Sequence, residues 1–105
     1  MMNVNLDKEL VDYMHTHHHD VITLKLVHDA FSDYHYLSMH PSIRYKKPKH
    51  EERFDKFEVG DITIYVEKHV KTTNDQLRFV DEKLLGIHRC HVVGLDLEIE
   101  DNLFH

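Results

Sequence analysis

The feature that most constrains the fold is the segment 54–68, FDKFEVGDITIYVEK, which is typical of a β-hairpin. Gly60-Asp61 separates two strand-like runs, and glycine followed by a polar residue suits a type II′ turn. Ile62, Ile64 and Val66 alternate along the second run, so we expect them to form one buried face. The segment therefore predicts an antiparallel hairpin at the centre of a β-rich domain.

The segments before this hairpin predict a leading helix and a strand. Residues 5–17 carry apolar residues at helical spacing, with Asn5 as the expected N-cap. Residues 21–28 alternate as a strand. The stretch 29–52 contains both prolines, and we expect a strand fragment around residues 34–37 followed by a long loop.

The segments after the hairpin predict further short strands. Residues 68–76 are polar and are expected to form a helical turn plus a loop, followed by a short strand around residues 77–80. Residues 90–100 form the last predicted strand, with Val93, Leu95, Leu97 and Ile99 pointing inward. One helix followed by several short strands indicates a β-rich α+β domain.

Composition limits the class of protein. The chain has 105 residues with only 3 glycines and 2 prolines, so we expect one ordered domain spanning residues 1–105. No apolar run approaches the roughly 20 residues of a membrane helix, and the start does not resemble a signal peptide. These features predict a cytoplasmic protein that binds no membrane.

The charge balance argues against nucleic acid as the main partner. The formal net charge is −6, whereas binding to a nucleic-acid backbone needs a cationic surface. A local exception is RYKKPKH, residues 44–50, which we interpret as a solvated loop with some capacity to contact an anion.

The 12 histidines suggest metal sites, and Cys90 is the single cysteine of the chain. His15 and His19 have the i, i+4 spacing that places both on one helix face, where Asp20 could join them around a divalent ion. The other interpretation of this run is a solvated helix terminus.

A second candidate site surrounds Cys90, which lies between His88 and His91 in the sequence HRCH. A thiolate beside Arg89 and two histidines would have a lowered pKa, and alternation predicts a partly exposed side chain. A half-buried structural cysteine is the alternative. A G-x-S-x-G elbow, a Gly-rich phosphate loop and a pattern separating acid from base are all absent from the sequence, so we expect no enzyme.

A longer pattern resembles the HesB-like, or A-type iron–sulfur carrier, domain. The segment FDKFEVGDITIYVEKHVKTTNDQLRFVDEKLLGIHRCHVVG is similar to the central part of that domain, and DAFSDYHY at 29–36 lies where the family reads G-G-C-S-G-Y-x-Y. A closer likeness is to its small CC/Se-motif branch, through Pro41-Ser42-Ile43-Arg44 and Pro48. The resemblance implies a flattened sandwich of two short mixed sheets with a leading N-terminal helix.

The departures from the family pattern bear on function. Phe31 lies at the position of the first cluster-binding cysteine, and the two C-terminal cysteines have no counterpart. Because iron–sulfur clusters need thiolate ligands, the resemblance implies a relative that has lost them. His28 and His35 flank that position and could bind zinc or iron instead, or be scattered polar residues.

Two hypotheses therefore remain at the level of sequence. The first is a non-catalytic HesB-like protein, linked to iron–sulfur cluster biogenesis, that binds a protein partner or a second copy of itself. The second is a histidine-based metal-binding or metal-sensing protein.

Overall fold

The computed structural model describes residues 2–31 and 36–96, with backbone alone for residues 28–31 and 36–39. The elements, in chain order, are β1 Asn3–Leu6, α1 Lys8–Thr16, β2 Val21–Phe31, β3 Tyr36–Arg44, a 3₁₀ turn Glu51–Arg53, β4 Phe54–Val59, β5 Ile62–Glu67, β6 Gln76–Leu84 and β7 Ile87–Val93. The strands form a three-stranded sheet, in the order β1-β6-β7, and a four-stranded sheet, in the order β3-β2-β5-β4.

Both sheets are mixed, which confirms the predicted β-rich α+β class with a short helix near the N-terminus. In the smaller sheet β1 runs parallel to β6, and β7 runs antiparallel to β6. In the larger sheet β2 runs parallel to β5, and the two outer strands, β3 and β4, are antiparallel to their neighbours.

One apolar core joins the two sheets and the helix. Leu10 and Met14 of α1 are fully buried against it, as expected for residues four apart on one helix face. The remaining fully or almost fully buried apolar side chains come from both sheets and from the segment that follows β5: Ile22, Leu24, Ile62, Ile64, Val66, Val70, Leu77, Phe79 and Val92.

The β4–β5 hairpin confirms the local prediction. Val59 pairs with Ile62 across a two-residue loop, and the φ angle is positive at Gly60 (61°) and not at Asp61. This is the pattern of a type II′ turn, whose twist matches that of the strands it joins.

The N-terminus differs from its prediction. Residues Asn3–Leu6 form a strand, α1 begins at Lys8, and the N-cap is Asp7 rather than Asn5. The reason is a distant partner: Val4 and Leu6 align with Leu77 and Phe79 of β6. Backbone pairing with that strand holds residues 3–6 extended.

The predicted loop over 29–52 is wrong in part, because β3 extends from Tyr36 to Arg44. The expected strand fragment at 34–37 lies partly outside the described residues. Pro41 sits within β3, opposite Leu26. Since β3 is an edge strand of the sheet that the described residues form, the missing N–H of proline is tolerated there.

The last strand is shifted from its prediction. β7 begins at Ile87 and ends at Val93, and it is Val92 that is buried while Val93 is exposed. The Leu85–Gly86 turn starts β7 earlier than expected and reverses which residues face inward. Leu97 and Ile99 lie outside the described residues.

Residues 68–76 form a turn and an isolated bridge between Thr72 and Leu95, not the expected helical turn. Within the described ranges, no helix has the length and apolar character needed to cross a membrane.

Candidate functional site

The β6–β7 hairpin places three of the predicted ligands, His88, Cys90 and His91. Its turn, Leu85–Gly86, has positive φ at both residues (53° and 78°), the pattern of a type I′ turn. Because side chains alternate along a strand, His88 and Cys90 share the inner face with buried Val92, and His91 points to the opposite face. The three predicted ligands therefore do not converge on one point.

Cys90 is half-buried and packs against the core. Burial raises the pKa of its thiol to about 11; a hydrogen bond with Tyr45 partly offsets this effect, and the nearby Asp81 carboxylate adds to it. The expected thiolate with a lowered pKa is therefore wrong, because the register of β7 turns the side chain inward. The pKa of the Tyr45 phenol is also raised, chiefly by burial and then by the neighbouring thiol.

Asp81 is the cross-strand partner of Cys90, and its carboxylate contacts the imidazole of His88. His88 Nδ1 lies 2.7 Å from Asp81 Oδ2, and the Asp81 side chain is only 7% exposed. The imidazole also stacks on Tyr13 of α1, with ring centroids 4.7 Å apart. Asp81 Oδ1 is buried with no hydrogen-bond partner in the part of the chain that the structure describes. These contacts fix the ring of His88 between helix and hairpin.

The arrangement brings a thiol, an imidazole and a carboxylate onto two adjacent strands without linking them as in nucleophilic catalysis. The Cys90 thiol is paired with Tyr45, and the His88 imidazole with Asp81. Catalysis by an activated nucleophile needs the base hydrogen-bonded to the nucleophile, and no such bond joins these described residues.

Sequence reasoning missed Asp81 and Tyr45. A signal existed for Asp81: counting outward from the Leu85–Gly86 turn pairs position 81 with position 90. Tyr45 comes from the segment after β3 and reaches Cys90 only through tertiary packing, so no local pattern in the sequence indicates it.

The candidate set at the end of α1 separates onto different partners. His15 Nε2 lies 2.9 Å and 3.0 Å from the two carboxylate oxygens of Asp61, and this bond lowers the pKa of Asp61. His19 stacks on Tyr45 instead, with centroids 4.5 Å apart. Asp20 is exposed and precedes β2. His15 and His19 are four residues apart, but the helix ends at Thr16, so the two side chains do not lie on one helix face.

The structure does not describe the side chains of the remaining candidates. His35 lies outside the described residues, and for His28 and Phe31 only the backbone in β2 is described. Among the side chains that are described, no group of three histidine, cysteine, aspartate or glutamate residues could hold a metal ion. Zinc or iron binding through His28 and His35 stays a prediction.

The outer end of the same hairpin carries an apolar surface, which we call the apolar tip and define as Leu84, Leu85 and Ile87. Their exposed fractions are 67%, 93% and 66%. Leu84 and Ile87 are cross-strand partners, so their side chains lie side by side on the outer face. Strand β7 is also an edge of its sheet within the described residues.

A sequence match over most of the chain identifies its family. A sequence model of the CC/Se motif containing family matches residues 2–95. The chain belongs to this family. The match extends from β1 past β7, so it includes both sheets, the helix and the whole β6–β7 hairpin. Neither a curated protein nor a solved structure matches the chain.

Proposed function

We propose that this member of the CC/Se motif containing family is a non-catalytic binding protein that engages a protein partner through the apolar tip. The observation that carries the proposal is the concentration of exposed apolar side chains. All four large hydrophobic residues exposed in the described part of the chain, the three of the tip and Val93, belong to this one hairpin. Contiguous apolar surface of this kind is characteristic of interaction sites.

The turn geometry supports a role for the tip beyond folding. Leu85 has φ of 53°, and the other three non-glycine residues with positive φ in the described chain are histidine, asparagine and aspartate. Those types are enriched in this region, whereas leucine is unfavourable there by roughly 1 kcal/mol or more. Because the Leu85 side chain is 93% exposed, its burial within this chain offsets little of that backbone cost. Burying such a side chain in a partner would contribute about 1.5–3 kcal/mol.

A binding role rather than catalysis is supported by the inner face of the hairpin. The Cys90 thiol has a pKa of about 11, so it is neutral near pH 7 and a poor nucleophile. His88, a candidate base on the same face of β7, is held by Asp81.

The proposal includes descent from a HesB-like, A-type carrier domain. The support for this relation is the pair of mixed sheets together with the sequence pattern of 29–36 and 54–94. Because Phe31 stands at the first cluster-ligand position, the link to iron–sulfur cluster biogenesis would be through a protein contact, not through carriage of a cluster.

The test is photo-crosslinking in the cells that produce the protein. A photo-crosslinking amino acid replaces Leu84 in one variant and Asn74 in a control, since Asn74 is exposed near the opposite end of β6. We expect a discrete adduct from position 84 alone, and its loss when Leu85→Asn and Ile87→Thr are added. The proposal fails if positions 74 and 84 give the same adducts, or if position 84 gives none.

Mass spectrometry of the adduct then decides between partners. An iron–sulfur assembly protein would support the HesB-like relation, and an adduct of twice the chain's mass would identify a second copy of the chain as the partner.

A further inference from the structure

The outer face of the four-stranded sheet carries a groove that is independent of the hairpin. Its volume is about 460 Å³, within the range of roughly 300–1,000 Å³ that small-molecule sites occupy. We call it the basic groove and define it by the six cationic side chains that line it, Lys25, Arg44, Lys46, Lys47, Lys49 and Arg53.

The basic groove is formed because the connection from β3 to β4 folds back over the sheet. Three hydrogen bonds hold this connection. The Thr23 hydroxyl donates to the Lys46 carbonyl oxygen, the Tyr65 hydroxyl donates to Glu51 Oε1 at 3.0 Å, and the Lys68 N–H donates to the Arg53 carbonyl oxygen at 3.0 Å. The connection is thereby attached to β2, to β5 and to Lys68, the residue that follows β5. Its lysines are presented from a fixed backbone, which lowers the entropy cost of binding.

The charge in the basic groove opposes that of the whole chain. Six of the 13 lysine and arginine residues line it, whereas Glu67 is the one acidic residue among the described side chains that does. Among the side chains that the structure describes, none of these six cations forms an ion pair with a carboxylate. The single acid, Glu67, accepts the backbone N–H of Leu26 at 3.1 Å. A concave surface lined by one sign of charge concentrates ions of the opposite sign.

We propose that the basic groove binds a small organic polyanion carrying two or more phosphate or carboxylate groups. Six cations exceed what one phosphate can neutralise, and the volume exceeds one phosphate. Arg44 and Arg53 supply forked donors that match either anion, and the lysines add mobile point charges. Phe54 and Pro48 provide an apolar wall for a carbon skeleton. The chain is acidic overall, which disfavours a nucleic-acid backbone.

The experiment is calorimetric titration of the full chain with pyrophosphate and, separately, with citrate, at low and at physiological ionic strength. One variant removes the lysines of the connection, Lys46→Gln/Lys47→Gln/Lys49→Gln. The control Lys8→Gln/Lys71→Gln/Lys83→Gln changes the net charge equally at exposed positions outside the basic groove. Thermal unfolding of both variants verifies that they are folded.

We expect saturable binding of one anion per chain, weakened by about tenfold or more in the groove variant and by far less in the control. Binding of pyrophosphate but not citrate would identify phosphate groups, and the reverse would identify carboxylates. Equal weakening in both variants, or no saturable binding of either anion, would overturn the proposal. So would a single-stranded oligonucleotide that binds much more tightly than pyrophosphate and depends on the same three lysines.

Discussion

The basic groove and the apolar tip lie on different sheets and are built in different ways. The basic groove depends on a long connection that hydrogen bonds hold against the outer face of the four-stranded sheet. The apolar tip depends on a type I′ turn and a regular cross-strand ladder, with β7 at the edge of the sheet that the described residues form. One surface is charged and concave, the other apolar and protruding. A single small core therefore supports two surfaces suited to different ligands, and we expect changes to one surface to leave the other unaffected.

The largest effect should come from Gly94→Ala, which tests the hairpin side of the comparison. Gly94 has φ of 107°, and a Cβ there would collide with the backbone carbonyl oxygen of Gln76 at the start of β6. We expect the free energy of unfolding to fall by about 3 kcal/mol, measured by urea denaturation. The affinity of the remaining folded protein for pyrophosphate should not change.

The matched control is Gly86→Ala, at φ of 78°, where no atom of the described residues lies within 4 Å of the new Cβ. Without a collision, we expect the free energy of unfolding to fall only by the cost of placing alanine at positive φ, about 1 kcal/mol. Equal losses for the two variants would contradict the close approach of Gly94 to β6.

A smaller effect is expected from Thr23→Val, which acts on the groove side. Thr23 is buried, and its hydroxyl donates the hydrogen bond that holds Lys46. Removing the hydroxyl should lower the free energy of unfolding by about 1 kcal/mol. It should also weaken pyrophosphate binding without any change of charge, and leave crosslinking from position 84 intact.

Thr23→Ser, which keeps the hydroxyl, should retain most of the affinity. If Thr23→Val binds pyrophosphate as tightly as the unmodified chain, the connection is not held in place by this bond.

The smallest effect concerns the inner face of the hairpin, behind the apolar tip. With its pKa raised to about 11, Cys90 should react slowly with iodoacetamide at pH 7, and faster as the pH approaches 11. Since folding favours the neutral thiol, its contribution to stability is complete below the ordinary pKa near 9 and is lost as the pH rises through about 11.

Tyr45→Phe removes a hydrogen bond that favours the thiolate, so alkylation at a fixed pH should slow further. Arg89→Gln should have no effect, because Arg89 lies on the opposite face of β7. A rate that is already maximal near pH 8 would show that the thiol is exposed.

Much of the local structure could be predicted because its causes are adjacent in sequence. Gly60-Asp61 and the alternation of Ile62, Ile64 and Val66 predict the β4–β5 hairpin, and the structure confirms it. The α1 helix was expected over 5–17 and is found at Lys8–Thr16. Its first turn was misplaced because the strand Asn3–Leu6 is stabilised by a partner more than 70 residues away.

The candidate site was less predictable for the same reason. His88 and Cys90 were identified and do lie in one cluster, but the sequence predicted an exposed thiol and the structure has a half-buried one. A shift of one residue in a strand exchanges its two faces, so the Leu85–Gly86 turn decided the chemistry of Cys90. The segment 44–50 was identified as basic, yet nothing in its own residues indicated the sheet face beneath it.

The β-rich class, the short helix, the Gly60-Asp61 turn and the absence of a multi-thiolate site within one chain can be inferred from the sequence, because they follow from neighbouring residues and from composition. Three features could not be inferred from the sequence and are seen in the tertiary structure. They are the parallel pairing of β1 with β6, the edge position of β3 that tolerates Pro41, and the six cations that line one groove. Such features depend on which distant segments share a core, and that choice follows from the burial of the whole chain and not from any local pattern.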